Sequence, residues 1–239
     1  MNDFIEKCDL AYYSGYPIIS DEEYDALIAK YNLRSVGHTI TDGVPHAHKM
    51  YSLQKFFDLD DAPNYLEEGS NVVVTPKLDG AAVSLLYVNG HFALGLTRGD
   101  GNIGRDITDK MSMLVPEEIT TYGEVFITGE VVCPSDVPNS RNVASGSLGL
   151  KSIAEFALRP LTFVAYDVQS SEIDYSHYKT AMRLLANLGF NVVTTFDASL
   201  YPTDGKVYRA DDQKVFKRLG HTCLLYTSPS PRDQRGSRM

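Results

Sequence analysis

The sequence predicts an α+β fold in which a small helical hairpin precedes a larger domain built on antiparallel sheet. Residues 1–33 carry apolar side chains at helical spacing in two stretches. Strand-like segments joined by hairpin signals follow, and few helical stretches separate them. Strands connected in this way are typical of α+β domains with mainly antiparallel pairing.

The N-terminal stretch predicts two helices. Apolar residues recur at helical spacing within residues 4–12, and Gly15 with Pro17 ends the first helix. Ser20 and Glu23 form a capping box for the second helix. Acidic residues cluster in the first turn of that helix, where stabilisation by the helix macrodipole is their simplest explanation.

The predicted strands follow from alternation and turn signals. Residues 82–96 alternate around Asn89-Gly90, a strong signal for a two-residue hairpin. Further strands are predicted at 125–132, 161–168, 190–196 and 206–208, and a helix is predicted at 178–188.

Composition and charge limit the function classes. The 239 residues can bury a substantial core. No apolar run approaches the roughly 18 residues of a membrane helix, and the N-terminus lacks a secretory pattern, so a cytoplasmic protein without membrane contact is predicted. The net charge of −9 argues against binding nucleic acid by charge alone, so DNA contact is expected either to be local or to belong to parts of the protein not present in this chain. Three separated cysteines suggest neither a disulfide framework nor a zinc site.

The stretch at 72–80, VVVTPKLDG, carries the main chemical signal. Because side chains alternate along a strand, Lys77 and Asp79 are predicted on one face and Leu78 on the other. A lysine becomes a nucleophile on losing its proton, which partial desolvation and nearby cations favour. Asp79 alone would keep the lysine charged, so this carboxylate suits a metal, ribose or orienting role better than activation of the lysine. Taken alone, the pattern also fits a surface lysine beside an Asp-Gly turn.

Residues 99–104, GDGNIG, match the G-x-G-x-x-G fingerprint of dinucleotide-binding folds. That fingerprint requires a helix opening from it and a second parallel strand ending in an acid. Here a hairpin strand precedes the glycines, and Pro116 and Glu117 stand where the second strand should end. The glycines are instead predicted to shape a loop that brings Arg98 to a phosphate.

Five segments occur together in a specific order: KLDG at 77–80, TRGDG at 97–101, GEV at 129–131, RNVASGSL at 141–148 and FVAY at 163–166. This set resembles the adenylation domain of NAD-dependent DNA ligases, and the resemblance covers residues 1–222. It implies a helical nicotinamide-mononucleotide-recognition domain and linker at 1–44. It further implies an ATP-grasp-like ligase nucleotidyltransferase (adenylation) domain at 45–222, incomplete at its C-terminus.

The resemblance also implies a reaction. Lys77 attacks the α-phosphate of NAD, releases nicotinamide mononucleotide and holds AMP as a phosphoramidate. The AMP then passes to the 5′-phosphate at a nick in double-stranded DNA, and the neighbouring 3′-hydroxyl displaces it. NAD as AMP donor, Mg²⁺, a monomeric state and a part in DNA repair and replication belong to the same expectation.

Roles for further residues come from the same resemblance. The motif that recognises nicotinamide mononucleotide is matched by Tyr12, Tyr13, Asp21, Tyr24 and Asp25, with one residue fewer between its halves.

Further roles concern the nucleotide. Ser52 and Leu53 are expected to frame adenine, and Arg98 and Arg141 to stabilise charge on the phosphate oxygens. Glu130 and Asp79 are expected to take part in catalysis by binding ribose hydroxyls or Mg²⁺ and its waters.

Three positions depart from the family pattern. Arg209 replaces a catalytic lysine in DGKVYR at 204–209, keeping the charge with a different geometry. Thr75 stands where a glutamate often contacts adenine. Gly149 stands where a second arginine usually follows, so one phosphate contact is missing or supplied elsewhere.

The end of the chain limits the expectation. The sequence leaves the family at Thr222, and residues 223–239 lack periodicity and are interpreted as a non-native tail outside the fold. Two alternatives to a DNA ligase stay open. One is an ATP- or GTP-using nucleotidyltransferase of the same superfamily, and the other is a non-catalytic NAD-binding fragment.

Overall fold

A computed structural model describes residues 4–5, 7–8, 18–20, 23, 26–27, 30, 43–50, 54–56, 71–170, 175–218 and 224–226. From residue 43 onward the described residues form eleven strands and five α-helices. The strands are β1 (Val44–Pro45), β2 (Gln54–Phe56), β3 (Val72–Leu78), β4 (Ala81–Val88), β5 (His91–Thr97), β6 (Ile103–Gly104), β7 (Glu124–Val132), β8 (Thr162–Ser170), β9 (Asn191–Val192), β10 (Thr203–Ala210) and β11 (Leu224–Tyr226). The helices are α1 (Thr108–Met111), α2 (Ser140–Ser147), α3 (Ile153–Ala157), α4 (Tyr178–Asn187) and α5 (Gln213–Arg218).

The strands form two larger sheets and one small one. The first has the order β5-β4-β7-β8-β9, and its pairs are antiparallel except that β8 and β9 run parallel. The second has the order β2-β11-β10-β3, in which β11 and β2 are parallel. β1 and β6 form the small sheet and are antiparallel. The architecture is therefore mixed α and β with mainly antiparallel pairing, as the sequence predicts.

Asn89 and Gly90 form the turn between β4 and β5, which confirms the predicted hairpin. Both residues have positive φ, at 47° and 85°, as a two-residue type I′ turn requires. A Cβ at residue 90 would lie 2.3 Å from the carbonyl oxygen of Ile119. Glycine is therefore required there by space as well as by conformation.

The first sheet is buried on both faces. Along β4, Val83, Leu85 and Tyr87 join one hydrophobic cluster, whereas Leu86 and Val88 join another. Because side chains alternate along a strand, these clusters lie on opposite faces of the sheet. The first cluster includes apolar residues of α4, and the second includes apolar residues of the N-terminal segment. Each fully buried aliphatic side chain contributes roughly 1.5–3 kcal/mol to stability.

The described N-terminal positions agree with parts of the predicted hairpin. The Ser20 backbone N–H donates to Glu23 Oε2 at 2.9 Å, and the Glu23 N–H donates to Ser20 Oγ at 3.2 Å, so the capping box is present. Phe4 and Leu27 are buried in the second cluster. The rest of the predicted hairpin lies outside the described residues.

The structure differs from the sequence prediction in three places. The strand predicted at 190–196 ends at Val192, because the N–H groups of residues 195 and 196 turn back to the Val192 carbonyl. Four helices, α1, α2, α3 and α5, and three short strands, β1, β2 and β6, were not predicted. Residues 224–226, within the segment expected to lie outside the fold, form β11 between β2 and β10.

The longest of the five labelled helices is α4, with ten residues, within the predicted range 178–188. Its apolar side chains face the first sheet, where Met182 and Leu185 are fully buried. Among the described residues, no helix is both long and apolar enough to cross a membrane.

Candidate active site

A cavity of about 590 Å³ lies between the two larger sheets. β3 and β10 of the second sheet contribute Lys77 and Arg209, and β7 and β8 of the first contribute Glu130 and Asp167. Aromatic side chains, carboxylates and cations therefore line one concave surface. This mixture is typical of a site that orients a charged ligand.

Lys77 lies at the end of β3 and is about one-quarter exposed, at 25%. Its Nζ donates a hydrogen bond to Asp204 Oδ2 at 2.6 Å. Asp204 belongs to β10, which pairs with β3 with a shift in register between Thr203 and Lys206. Such irregularities redirect side chains at the ends of strands. The shift lies where Asp204 reaches across to the lysine.

Asp79 directly follows β3 and lines the same cavity as Lys77, as the alternation predicts. Its backbone N–H donates to the Pro202 carbonyl at 2.9 Å, and its carboxylate forms an ion pair with Arg141 of α2 at 3.1 Å. A Cβ at Gly80 would lie 2.1 Å from the carbonyl oxygen of Val131. The Asp-Gly pair therefore lies directly against β7.

Glu130 of β7 lies half-buried beside this turn. Burial raises the pKa of Glu130 from 4.5 to about 7, although the Gly80 N–H hydrogen bond and the charge of Lys77 lower it. The Asp79 carboxylate adds to the upward shift, and Arg141 opposes it. Near neutral pH this carboxyl group can therefore hold or release a proton.

Arg209 lies in β10 at the inner end of the cavity and is buried. Its guanidinium donates to Asp167 Oδ1 at 3.0 Å. The guanidinium carbon is 4.3 Å from the ring centroid of Tyr178 and 4.0 Å from that of Phe216. The planar cation is therefore held by two aromatic rings and a carboxylate.

Arg98 lines the cavity where β5 ends, at the start of the glycine loop. In that loop, Asp100 Oδ1 accepts the backbone N–H groups of Asn102 and Ile103, each at 2.8 Å. The loop leads into β6 rather than a helix. The dinucleotide fingerprint is therefore absent, as predicted, and the loop places Arg98 in the cavity.

The structure thus brings six predicted site residues around one cavity: Lys77, Asp79, Arg98, Glu130, Arg141 and Arg209. The other predicted site residues, Tyr12, Tyr13, Asp21, Tyr24, Asp25, Ser52 and Leu53, lie outside the described residues.

Two carboxylates of the cavity were not among the predicted site residues. Asp204 had a signal in the sequence, because it opens the segment that ends at Arg209. Asp167 had none, since it reads as one polar residue of an alternating strand.

The carboxylates of the cavity can bind Mg²⁺ only if water and the phosphates of a bound substrate complete its coordination shell. No group of three or more His, Cys, Asp or Glu side chains is placed to hold a metal ion within the described part of the chain. Mg²⁺ normally takes one or two carboxylates and completes its shell with water and substrate phosphates. Glu130 and Asp79, which interact electrostatically beside the same turn, fit that requirement.

Comparison with known proteins bears on this cavity. Residues 40–137 match the family model described as the NAD-dependent DNA ligase adenylation domain. A DNA ligase of Campylobacter concisus (strain 13826) is 29% identical over 272 residues, which cover 89% of this chain and 42% of that protein. DNA ligase 1 of Nocardia farcinica (strain IFM 10152) is 35% identical over 205 residues, which cover 71% of this chain and 31% of that protein.

Solved structures include an archaeal ATP-dependent RNA ligase, form 2, at 18% identity and a TM-score of 0.48, covering 79% of this chain and 50% of that one. The chain is similar to DNA ligases, which confirms the predicted family resemblance. Three of the five predicted segments, KLDG, TRGDG and GEV, lie within residues 40–137, the part that matches the adenylation-domain model. The chain spans less than half the length of the two DNA ligases compared.

Proposed function

We propose that this chain is the adenylation portion of an NAD-dependent DNA ligase, in which Lys77 takes AMP from NAD and passes it to nicked DNA. The observation that carries the proposal is the position of Lys77. Its amine is partly exposed in a cavity that also holds the carboxylates Asp79, Glu130 and Asp204 and the cations Arg98 and Arg141. These are the charges that phosphoryl transfer to an amine requires.

In the first step, the Lys77 amine attacks the α-phosphorus of NAD. An N–P bond forms, the bond to the bridging oxygen breaks, and nicotinamide mononucleotide leaves with the electron pair. The amine must first release a proton, and Asp204 Oδ2, at 2.6 Å, is positioned to accept it. Negative charge then collects on the non-bridging phosphate oxygens. Arg98 and Arg141, which line the cavity, are the cations suited to stabilise that charge.

Mg²⁺ would be held by Glu130 with help from Asp79. When bound, it supplies positive charge to the phosphate oxygens in addition to the arginines. Glu130 must be ionised for this role, and its pKa of about 7 makes the ionised form the major one above neutral pH.

The later steps complete the proposal. The AMP passes from Lys77 to the 5′-phosphate at a nick, and the 3′-hydroxyl then displaces it. The motif of Tyr12, Tyr13, Asp21, Tyr24 and Asp25 would recognise nicotinamide mononucleotide. Ser52 and Leu53 would frame adenine, and Arg209 would face the phosphate. A monomer acting on nicked double-stranded DNA in the cytoplasm, in repair and replication, belongs to the same proposal.

Intact-mass measurement tests the first step. The purified chain is incubated with Mg²⁺ and either NAD or ATP, and its mass is then determined. We expect the mass to increase by one AMP with NAD alone. An adduct formed from ATP would instead favour an ATP-using nucleotidyltransferase. NAD binding without an adduct would favour a non-catalytic fragment.

Substitution of the nucleophile gives the sharpest control. The Lys77→Ala variant should form no adduct, because no other amine occupies its place at the end of β3. The matched control is Lys206→Ala, which removes an exposed lysine from the neighbouring strand β10 and should leave adduct formation unchanged. An adduct that persists in Lys77→Ala would move the nucleophile to another residue.

A further inference from the structure

A basic surface extends from the cavity along the exposed face of α2. Three exposed cations mark it: Arg141 at the start of the helix, and Arg105 and Lys151 near its end. Between them lie the exposed small residues Ser145, Gly146 and Gly149. Arg141 belongs to the cavity already described. Arg105 and Lys151 have no role in the proposed adenylation step.

Arg105 reaches the end of α2 from a different part of the chain. Its backbone N–H donates to Thr97 Oγ1, and its carbonyl accepts from the Thr97 N–H, both at 3.0 Å. These two bonds fix the residue to the end of β5. One terminal guanidinium nitrogen lies 3.3 Å from the position that a Cβ on Gly149 would take. The Arg105 side chain therefore lies beside Gly149, where the glycine leaves room for it.

The α2 face offers close access to a ligand. Arg141, Ser145 and Gly149 are spaced four residues apart, so they lie on one side of the helix and its last turn. A Cβ at Gly146 would meet no atom within 4 Å, so the space above it is open. At 1.5 Å per residue, the distance along the axis from Arg141 to Gly149 is about 12 Å. A bulky ligand can therefore contact both ends of the surface.

The cations at the far end are not neutralised by the protein. Neither Arg105 nor Lys151 forms an ion pair with a carboxylate among the residues that the structure describes. The acids adjacent in sequence are engaged elsewhere: Asp106 with Thr108, Asp109 with Lys110, and Glu155 with Arg159. The chain as a whole carries a net charge of −9, so a polyanion is repelled by most of it. A local cluster of cations is where a polyanion would bind.

We propose that Arg105 and Lys151 bind backbone phosphates of the DNA whose nick lies at the cavity. This inference rests on the proposed function, because DNA approaches this surface only if Lys77 delivers AMP to a 5′-phosphate. Phosphates rise about 3.4 Å apart along one strand, so about four of them span the roughly 12 Å from Arg141 to Gly149. The small residues between the cations let the sugar-phosphate backbone lie close to α2.

The proposed contacts are independent of base sequence, since they involve phosphates alone. They also account for a departure noted in the sequence. Position 149 lacks the arginine that is usual in the resembled family, and Arg105 brings a guanidinium to the space beside it. A phosphate contact is thereby supplied from the segment between β6 and α1 instead of from α2.

Binding of nicked DNA tests the proposal. The chain and its Arg105→Ala variant are first incubated with NAD and Mg²⁺, and their masses are measured. Binding to a fluorescent duplex carrying a 5′-phosphate nick is then followed from low to high salt. We expect Arg105→Ala to form the AMP adduct normally and to bind DNA several-fold more weakly. The slope of log K against log salt should become shallower by about 1, the loss of one phosphate contact.

Two further variants make the result specific. Arg183→Ala removes the same charge from the exposed face of α4, and it should leave the salt slope unchanged. Arg105→Ala combined with Gly149→Arg should recover the slope, because the new guanidinium enters the space that Arg105 vacates. The Arg183→Ala control distinguishes a phosphate contact from a general change in net charge, and the recovery shows that a guanidinium at this place is sufficient for the contact.

Several outcomes would overturn the proposal. The first is that the unaltered chain does not bind DNA even at the lowest salt. The second is that Arg105→Ala and the unaltered chain have the same salt slope. The third is that Arg183→Ala changes the slope as much as Arg105→Ala does. The mass measurement separates the two hypotheses. Failure of the unaltered chain to form an adduct contradicts the proposed function, whereas normal adduct formation with unchanged DNA binding in Arg105→Ala contradicts only the phosphate contacts.

Discussion

The two ends of the cavity hold arginine–carboxylate pairs of the same chemistry in opposite surroundings. At the outer end, Arg141 is 65% exposed and pairs with Asp79 at 3.1 Å. At the inner end, Arg209 is 8% exposed and pairs with Asp167 at 3.0 Å. Exposed pairs contribute about 0–1 kcal/mol, whereas breaking a buried pair leaves a charge without compensation. Similar distances therefore correspond to very different energies.

The difference separates two kinds of site residue. Arg141 can exchange Asp79 for a phosphate at little energetic cost, since water already screens the pair. Arg209 cannot leave Asp167 so readily, because Tyr178 and Phe216 enclose its guanidinium. We infer that the outer pair is mobile during the reaction and the inner pair holds the two sheets together. The catalytic role predicted for Arg209 then requires the phosphate to approach a fixed cation.

The largest expected effect is on stability at the inner end. Arg209→Ala should lower the free energy of unfolding by about 3–5 kcal/mol, because it leaves the largely enclosed Asp167 without its partner and removes the cation from beside Tyr178 and Phe216. Arg141→Ala, the matched change at the outer end, should lower it by less than about 1 kcal/mol. Urea denaturation measures both. Equal losses in the two variants would contradict the distinction between the two ends.

Arg209→Lys sharpens the same comparison. A lysine keeps the charge but lacks the planar guanidinium that contacts both rings and Asp167. Its stability should therefore lie between those of the unaltered chain and Arg209→Ala. The rate of adduct formation in this variant tests the predicted catalytic role separately. A normal rate with reduced stability would restrict Arg209 to a structural role.

Glu130 gives the next largest effect, with the opposite sign. Its pKa rises from 4.5 to about 7 on folding, so the folded state disfavours the charged form. The resulting destabilisation is absent below pH 4.5, grows as pH rises and is complete above about pH 7. Glu130→Gln should therefore raise the free energy of unfolding above pH 7 by up to about 3 kcal/mol, at 1.36 kcal/mol per pKa unit.

Urea denaturation of Glu130→Gln at pH 4.5 and pH 8 measures this dependence, and the gain should appear only at the higher pH. The same variant should lose adduct formation, since it cannot supply a carboxylate to Mg²⁺. Glu124→Gln is the control on the same strand, because Glu124 pairs with Lys30 near the surface. A gain of equal size at both pH values would show that burial of the charge is not its cause.

The outer end was also the more predictable from sequence. Lys77 and Glu130 lie on strands and Asp79 directly follows one, so alternation and ordered motifs could single them out, and the structure places all three around one cavity. The inner partner Asp167 gave no such signal, because its pairing with Arg209 joins strands of different sheets. Such a contact depends on tertiary packing, which local patterns do not encode.

The same reasoning explains the elements that were missed. The hairpin at Asn89-Gly90 has a local cause, because both residues favour positive φ. α2 contains Ser, Asn and Gly, which have low helix propensity, so its sequence gave no helical signal. Its contacts with β4 and β7 favour the helix instead. β11 likewise depends on the open edge that β10 offers.

The smallest stability effect, combined with a large effect on rate, is expected at Asp204. Asp204→Ala should change the free energy of unfolding by less than about 1 kcal/mol, because Lys77 and Asp204 are 25% and 35% exposed. Adduct formation from NAD should slow by about 10²-fold or more, the usual contribution of a positioned proton acceptor. Asp197→Ala, which removes an exposed carboxylate distant in sequence from β3, should leave the rate unchanged. Since proton loss limits the Asp204→Ala variant, raising the pH should recover part of its rate; a rate that stays low at every pH would show that Asp204 positions Lys77 without accepting its proton.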